Sequence, residues 1–314
     1  MTDNKKHCPI IGIDIGSRSI KLFRPATGEA GAPVCASVPV PDGAIADGFV
    51  ARPAELAAAL SALLSTAGVT ERHVVSALSG SAVVVRPATM PRMKGSELVQ
   101  AARWEAQRHI PLPLEELIID CVVCGDSVDQ PGMVQVMIAG GQRRAATALA
   151  ATLAQAGLTP VALDADALAA YRALAALEPG IALQNSLALL DVGGAASRLW
   201  MYTAGLLQVS RVITVGADHL IADFEPACQD LVGELRRSVE FVMLRGKRPL
   251  SHVCLLGGGG AAIPELAPAA ETLLNAAFSG RLAAGERLTV TPLVAGDGPE
   301  YTLAYGLTLW EGRS

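Results

Sequence analysis

Two carboxylates stand out, because each closes an apolar run and each is followed by glycine. Asp14 comes after Ile11-Gly12-Ile13 and before Ile15-Gly16-Ser17. Asp191 comes after Ser186–Leu190 and before Val192-Gly193-Gly194. A carboxylate so placed can hold a hydrated Mg²⁺, and a Gly/Ser turn beside it offers backbone N–H groups to phosphate. In the first copy Gly16 allows a sharp turn and close approach to a ligand. Ser17 and Ser19 add hydroxyls there, and Lys21 adds a cation on the returning strand. A third segment, Gly257-Gly258-Gly259-Gly260, follows an apolar strand, so bare backbone can lie against a flat ligand. Singly, each feature also reads as an ordinary tight turn. As a set, with the two acidic turns half a chain apart, they point to a nucleoside triphosphate between two related halves.

The elements that must position these residues follow from periodicity. Pro9–Ile15 and Ser19–Arg24 read as a hairpin, and Val34–Val40 as a third strand. Arg52-Pro53 opens a helix with Leu56, Leu60, Leu63 and Leu64 at helical spacing, ended by Gly68. His73–Leu78 and Ala82–Pro87 are strands. Ser96 reads as the N-cap of a helix that runs to about His109 and stops at Pro111 and Pro113. Glu116–Cys124 and Met133–Ala139 are strands, Gln142–Ala156 is a helix, and Thr159–Leu163 is a strand leading into a helix headed by Asp164 or Asp166. Glu178-Pro179-Gly180 is a break. Ser186–Val192, Ser197–Thr203 and Leu206–Ile213 form a second meander, followed by helix from Asp218 to about Arg245 with an interruption at Pro226. His252–Leu256 is a strand, Ile263–Phe278 a helix, Arg287–Thr291 a strand and Pro299–Trp310 a closing helix.

Bulk properties narrow the classes. The 314 residues are 51% hydrophobic but only 4% aromatic, so Ala, Leu and Val fill the cores. A formal net charge of −5 argues against a nucleic-acid-binding surface. The polar stretch Met1–Cys8 leads straight into a strand, which is no secretory leader, and no apolar run is long enough to span a bilayer. A cytoplasmic protein with reduced thiols is expected, meeting membrane only through a partner. Cys121 and Cys124 lie three apart in a strand pattern, facing opposite ways, so neither a zinc site nor a disulfide is expected of them. Arg143-Arg144 and Arg236-Arg237 read as solvated helix faces. Trp104, Arg108 and His109 either border a partner groove or belong to a helix packed on its own sheet.

On these residues the chain resembles the actin-like ATPase superfamily, and within it the PilM family of type IV pilus assembly and its relative FtsA. The resemblance spans nearly the whole chain. It is carried by Gly12-Ile13-Asp14-Ile15-Gly16-Ser17 with Lys21, and by Asp191-Val192-Gly193 with Ser197. Leu256-Gly257-Gly258-Gly259 and Ala304-Tyr305-Gly306-Leu307 add to it. Arg103-Trp104-Glu105-Ala106 followed by Ile110-Pro111-Leu112-Pro113 is its most specific part.

The resemblance implies an α/β, actin-like (duplicated RNase H-like), two-lobed fold with a PilM/FtsA-type inserted subdomain. The first lobe is expected over 1–160 with the insert at about 83–141, and the second over 161–314. The resemblance implies ATP and Mg²⁺ in the cleft, with Asp14 and Asp191 holding the metal through water. Gly16, Ser17, Ser19, Lys21, Gly193, Gly194 and Ser197 would lie on the phosphates, Gly257, Gly258 and Gly259 on the adenosine, and Asp166 would orient water. It implies a partner too: the N-terminal cytoplasmic tail of a PilN-like inner-membrane protein, held in a groove of the first lobe. Self-association is left open. Little chain separates Gly216 from Gly257, so the nucleotide-covering part of the second lobe is trimmed and hydrolysis is expected to be slow or absent. A small-molecule kinase and a soluble actin-like part of a type II secretion platform stay open as alternatives.

Overall fold

The computed structural model describes residues 10–26, 31–110, 112–127, 130–182, 186–244, 250–279, 282 and 287–311. The expectations for Met1–Cys8, Pro9, Pro111 and Arg245 lie outside them. The first half begins with β1 (Ile11–Ile15), β2 (Ser19–Arg24) and β3 (Val34–Pro39), then a small hairpin of β4 (Ile45–Ala46) and β5 (Phe49–Val50). Next come α1 (Pro53–Thr66) and β6 (His73–Leu78). Pro53 opens α1, where its missing N–H costs nothing, and Gly68 at φ +64° turns the chain out of it. The sequence then forms β7 (Val83–Pro91), α2 (Gly95–His109), β8 (Leu117–Asp126) and β9 (Met133–Gln142). After them α3 (Arg143–Gln155), β10 (Thr159–Ala165), α4 (Asp166–Leu177) and the short α5 (Pro179–Ala182) lead to the second half.

That half opens with β11 (Ser186–Val192), β12 (Ser197–Thr203) and β13 (Leu206–Ile213). It continues through α6 (Ala217–Ala222), α7 (Phe224–Leu244), β14 (His252–Leu256), α8 (Leu266–Ala277), β15 (Thr289–Pro292) and α9 (Thr302–Thr308). Two five-stranded sheets result, ordered β10-β6-β1-β2-β3 and β13-β12-β11-β14-β15. Each starts with an antiparallel meander and adds parallel strands beside its first strand. This is the duplicated unit that the two Asp turns pointed to.

The apolar alternation places the cores. Ile11, Ile13, Ile20 and Leu22 meet Leu56, Leu60 and Leu63 of α1 and Leu149 and Leu153 of α3. Leu190, Val192, Leu199 and Met201 meet α7 and α8 on the outer face of the second sheet. Between the sheets lie α4 and α9: Ala169, Ala170, Leu303 and Leu307 share one core with Val75, Leu187, Trp200 and Tyr202. The approach there is close. A Cβ on Gly12 would stand 1.9 Å from the Ala304 carbonyl oxygen, and one on Gly306 would stand 2.1 Å from that of Ala169.

The three strands β7-β9-β8 form a sheet of their own, covered on one face by α2 through Leu98, Ala102 and Ala106. On the other face Val85 and Met137 join the central core. Arg143 is exposed, as expected of a solvated helix face, and also donates to the carbonyls of Glu115 and Leu117, both at 2.9 Å, which ties this sheet to α3.

Several boundaries differ from expectation. A lobe boundary after residue 160 would cut β10, which pairs with β6 in the first sheet. Ser96 is not the N-cap of α2: the helix starts at Gly95 behind Lys94, with no side-chain cap. The break between α6 and α7 falls at Asp223, and Pro226 sits in the first turn of α7, where no backbone donor is needed. The Glu178-Pro179-Gly180 break carries the short α5, and α8 starts after Pro264 rather than at Ile263. Cys121 is buried and Cys124 exposed.

A cleft with two acid–cation turns

The two Asp turns come to the same chemistry by the same register. Asp14 lies opposite Lys21 across β1 and β2, and Asp191 lies opposite Arg198 across β11 and β12. Lys21 Nζ donates to Asp14 Oδ2 at 3.0 Å, with both side chains buried. Arg198 Nε donates to Asp191 Oδ2 at 2.7 Å, and its Nη2 meets the same oxygen. Arg198 Nη1 also donates to Asp166 Oδ2 at 3.1 Å. Sequence reading missed Arg198. The signal was present: in both turns the cation follows its aspartate by seven residues.

The charges in this cluster act on one another. Burial pushes the Asp14 carboxyl up, but Lys21 and then Arg198 hold it below its ordinary value. Asp191 stays raised, because burial and the neighbouring Asp14 outweigh the pull of Arg198. Asp166 is raised to about 6 by burial, against the opposing pull of Arg198 and of the Ala167 N–H. Arg198, held by Asp191, Asp166 and Asp14, is raised despite its own burial.

A carboxyl with a raised pKa favours the fold in its protonated form. Its contribution is complete below pH 3.8 and is lost as pH rises towards about 6. Replacing Asp166 with Asn is therefore expected to flatten the fall in melting temperature across that window. Thermal melts at half-unit pH steps check this, and an unchanged slope would refute it.

The turns face a cavity of about 650 Å³ between the halves, a size that suits a nucleotide-sized ligand. Gly16, Ser17, Ser19 and Lys21 line it from one side, and Asp191, Gly193, Gly194, Gly258 and Gly259 from the other, with Arg198. Gly16 N–H closes the first turn onto Ser19 O at 3.0 Å. At the mouth Arg18 spans the cleft to Asp218 at 2.7 Å. Both partners are largely exposed, so this contact stabilises closure by about 0–1 kcal/mol.

Other expected residues stand elsewhere. Ser197 is fully buried and its hydroxyl donates to Val215 O at 2.6 Å, so it does not reach a phosphate. Asp166 is 3% exposed and lines a separate cavity of about 150 Å³ with Trp200 and Val85. Its Oδ1 accepts from the Ala167 N–H at 2.7 Å, as a helix-opening acid does, and it is not placed to orient water in the cleft. Gly257 is not an adenosine contact. At φ +60° it lets Asp191 in, since a Cβ there would stand 1.6 Å from Asp191 Oδ1. Among the described residues only α6 and α7 lie between β13 and β14, and Ala217, Asp218 and Ile221 of α6 line the cavity there.

The residues present fit the parts of an ATP–Mg²⁺ complex unequally. The turns, Lys21 and the bare Gly259 suit a polyphosphate and a flat base. Asp14 and Asp191, expected on Mg²⁺, are already satisfied by Lys21 and Arg198. Among the described residues no group of three or more His, Cys, Asp and Glu is placed to hold a metal ion.

Comparisons with known proteins agree with this architecture. The sequence profile of the family described as "Type IV pilus assembly protein PilM" matches residues 12–224. A solved structure titled "PilM-PilN type IV pilus biogenesis complex" is similar at TM-score 0.78 and 29% identity, covering 96% of this chain and 98% of that one. The ethanolamine utilization protein EutJ from Carboxydothermus hydrogenoformans shares the fold at TM-score 0.54 and 17% identity, covering 96% and 89%. So does the cytoplasmic domain of EpsL from the type II secretion system of Vibrio cholerae, at TM-score 0.54 and 14% identity, covering 96% and 94%. With its two meander-led sheets, its third small sheet and a family match running from the first Asp turn through the second, the chain belongs to the type IV pilus assembly protein PilM family.

Proposed function

We propose that this protein is a cytoplasmic, actin-like scaffold of type IV pilus assembly that binds the N-terminal tail of a PilN-like inner-membrane protein. The observation that carries this is the near end-to-end likeness to the PilM of a PilM–PilN complex. Surface chemistry supports it. Trp104 is 68% exposed on α2, away from the helix face that packs on its own sheet. On β8, Ile118, Val122 and Val123 are exposed as well. Trp104 on α2 and Ile118 and Val122 on the far face of β8 lie on the two sides of one small sheet, so a peptide anchored on both would wrap the edge strand β8. No helix among the described residues is long and apolar enough to cross a membrane.

The cleft binds a nucleotide that steadies the closed arrangement of the halves, as a ligand preferring one state shifts the population to it. Turnover is slow or absent, because Asp166 is held by Arg198 away from the cleft.

The test is a pull-down of the full chain with a synthetic peptide of the partner's N-terminal tail. Trp104→Ala and Val122→Asp, both at exposed sites, are expected to weaken capture about tenfold or more, as apolar anchors do. Unchanged capture would place the groove outside the small sheet, and no capture by the native chain would refute the partner.

A further inference from the structure

One feature of the cleft is explained neither by the fold nor by the partner: a half-buried arginine, Arg198, pairs with the very acid expected to serve a nucleotide's metal ion. We propose that Arg198 takes the place of the divalent cation, so that this cleft receives a nucleoside polyphosphate free of metal. The ligand class rests on the nucleotide reading above; the exclusion of metal does not.

Three observations carry it. First, both acids at the strand ends are occupied by cations of the chain itself, Asp14 by Lys21 at 3.0 Å and Asp191 by Arg198 at 2.7 Å. Second, the remaining face of Asp191 is closed. Arg198 takes Oδ2, while Oδ1 lies against Gly257, where even an added Cβ would stand 1.6 Å away. A hard cation such as Mg²⁺ needs about six oxygen ligands at short, regular distances, and neither oxygen of Asp191 is left to serve one. Third, Arg198 is anchored on both sides, since it also bridges to Asp166 at 3.1 Å. A guanidinium keeps its charge and holds a rigid fork of five donors, so pH within the physiological range does not release the acids.

The same arrangement suits phosphate. Lys21 and Arg198 line the cavity together with Arg18 at its mouth. Donors not used on the carboxylates can turn to phosphate oxygens, for which the guanidinium geometry is apt. The cation is thus built into the strand instead of arriving with the ligand.

Two measurements on the full chain test this. Mn²⁺ alone is titrated and free Mn²⁺ is followed by electron paramagnetic resonance. A fluorescent N-methylanthraniloyl ATP is titrated in EDTA and again in excess Mg²⁺. For the native chain the expected result is no Mn²⁺ binding sensitive to Asp191→Asn, and nucleotide affinities equal within about twofold with and without Mg²⁺. Saturable Mn²⁺ binding lost in Asp191→Asn, or affinity rising about tenfold or more with Mg²⁺, would overturn the proposal.

Arg198→Ser, checked for folding by circular dichroism, is expected to gain Mn²⁺ binding. A folded variant that still binds none would overturn the role given to Arg198, and if the variant does not fold the native-chain arms decide. Absence of nucleotide binding in both buffers would refute the nucleotide reading, while the Mn²⁺ titration still judges Arg198.

Discussion

Arg198→Ala is expected to destabilise the fold by about 3–5 kcal/mol at neutral pH, because it strands two buried carboxylates without a counter-charge. Asp191 is 1% exposed and Asp166 3%, so solvent cannot take over the role of the guanidinium. The loss should shrink on acidification. Both acids are already raised by burial, Asp166 to about 6, and removal of their cation raises them further. Protonation near pH 5 then removes the unpaired charge. Urea titrations of the native and variant chains at pH 7.5 and pH 5 check this. A deficit of the same size at both values would mean that lost packing against Trp200, whose ring centre lies 5.6 Å from the guanidinium, outweighs the charge. Arg198→Ala combined with Asp166→Asn and Asp191→Asn should recover much of the stability at pH 7.5, since it removes the stranded charges themselves.

The second large effect concerns the glycine run. The sequence suggests that a bulky residue at Gly258 would block the nucleotide and spare the fold. The structure reverses this. Gly258 sits at φ +55°, and a Cβ there would stand 2.0 Å from the Val192 carbonyl oxygen, which is backbone and cannot move aside. Gly258→Val is therefore expected to cost about 3 kcal/mol or more, from left-handed strain and overpacking together.

The informative position is the next one. A Cβ on Gly259 meets only the Ala217 Cβ at 3.8 Å, and this residue lines the cavity. Gly259→Val should keep stability within about 1 kcal/mol while abolishing the nucleotide signal. Urea melts and fluorescent-nucleotide titrations of the two variants separate these outcomes. Undiminished binding by Gly259→Val would move the base elsewhere in the cleft.

How far the sequence can be read depends on which physics decides each feature. The strands Ser186–Val192, Ser197–Thr203 and Leu206–Ile213 match expectation residue for residue, because they are bounded by Gly turns and filled with apolar side chains. The duplicated fold was legible for the same reason. Side-chain direction was not. Ser197 and Asp166 have the right residue types, but a one-residue change in position along a strand or helix start decides whether a group meets the cleft or the core. Arg198 reads in sequence as one more polar residue in a half-buried strand, and its role emerges only when register brings it across from Asp191. The glycines of the Gly₄ run look alike in sequence yet differ in what they touch: a carboxylate for Gly257, a carbonyl for Gly258 and open space for Gly259.

The packing of α9 has a consequence for how the chain comes into being. This helix lies against β1 and β2, with Ala304 over Gly12 and the Tyr305 ring 5.1 Å from that of Phe23. Almost the whole sequence separates the two surfaces. A ribosome that has delivered every strand of the first sheet has still not delivered α9, the last of the helices on its inner face. The first sheet thus waits, with Phe23 short of Ala304 and Tyr305, until residues 302–308 emerge. The two halves, so alike in plan, cannot mature one after the other. They are finished together by one short late helix, and any nascent chain stalled before it presents an apolar face to whatever chaperone is near.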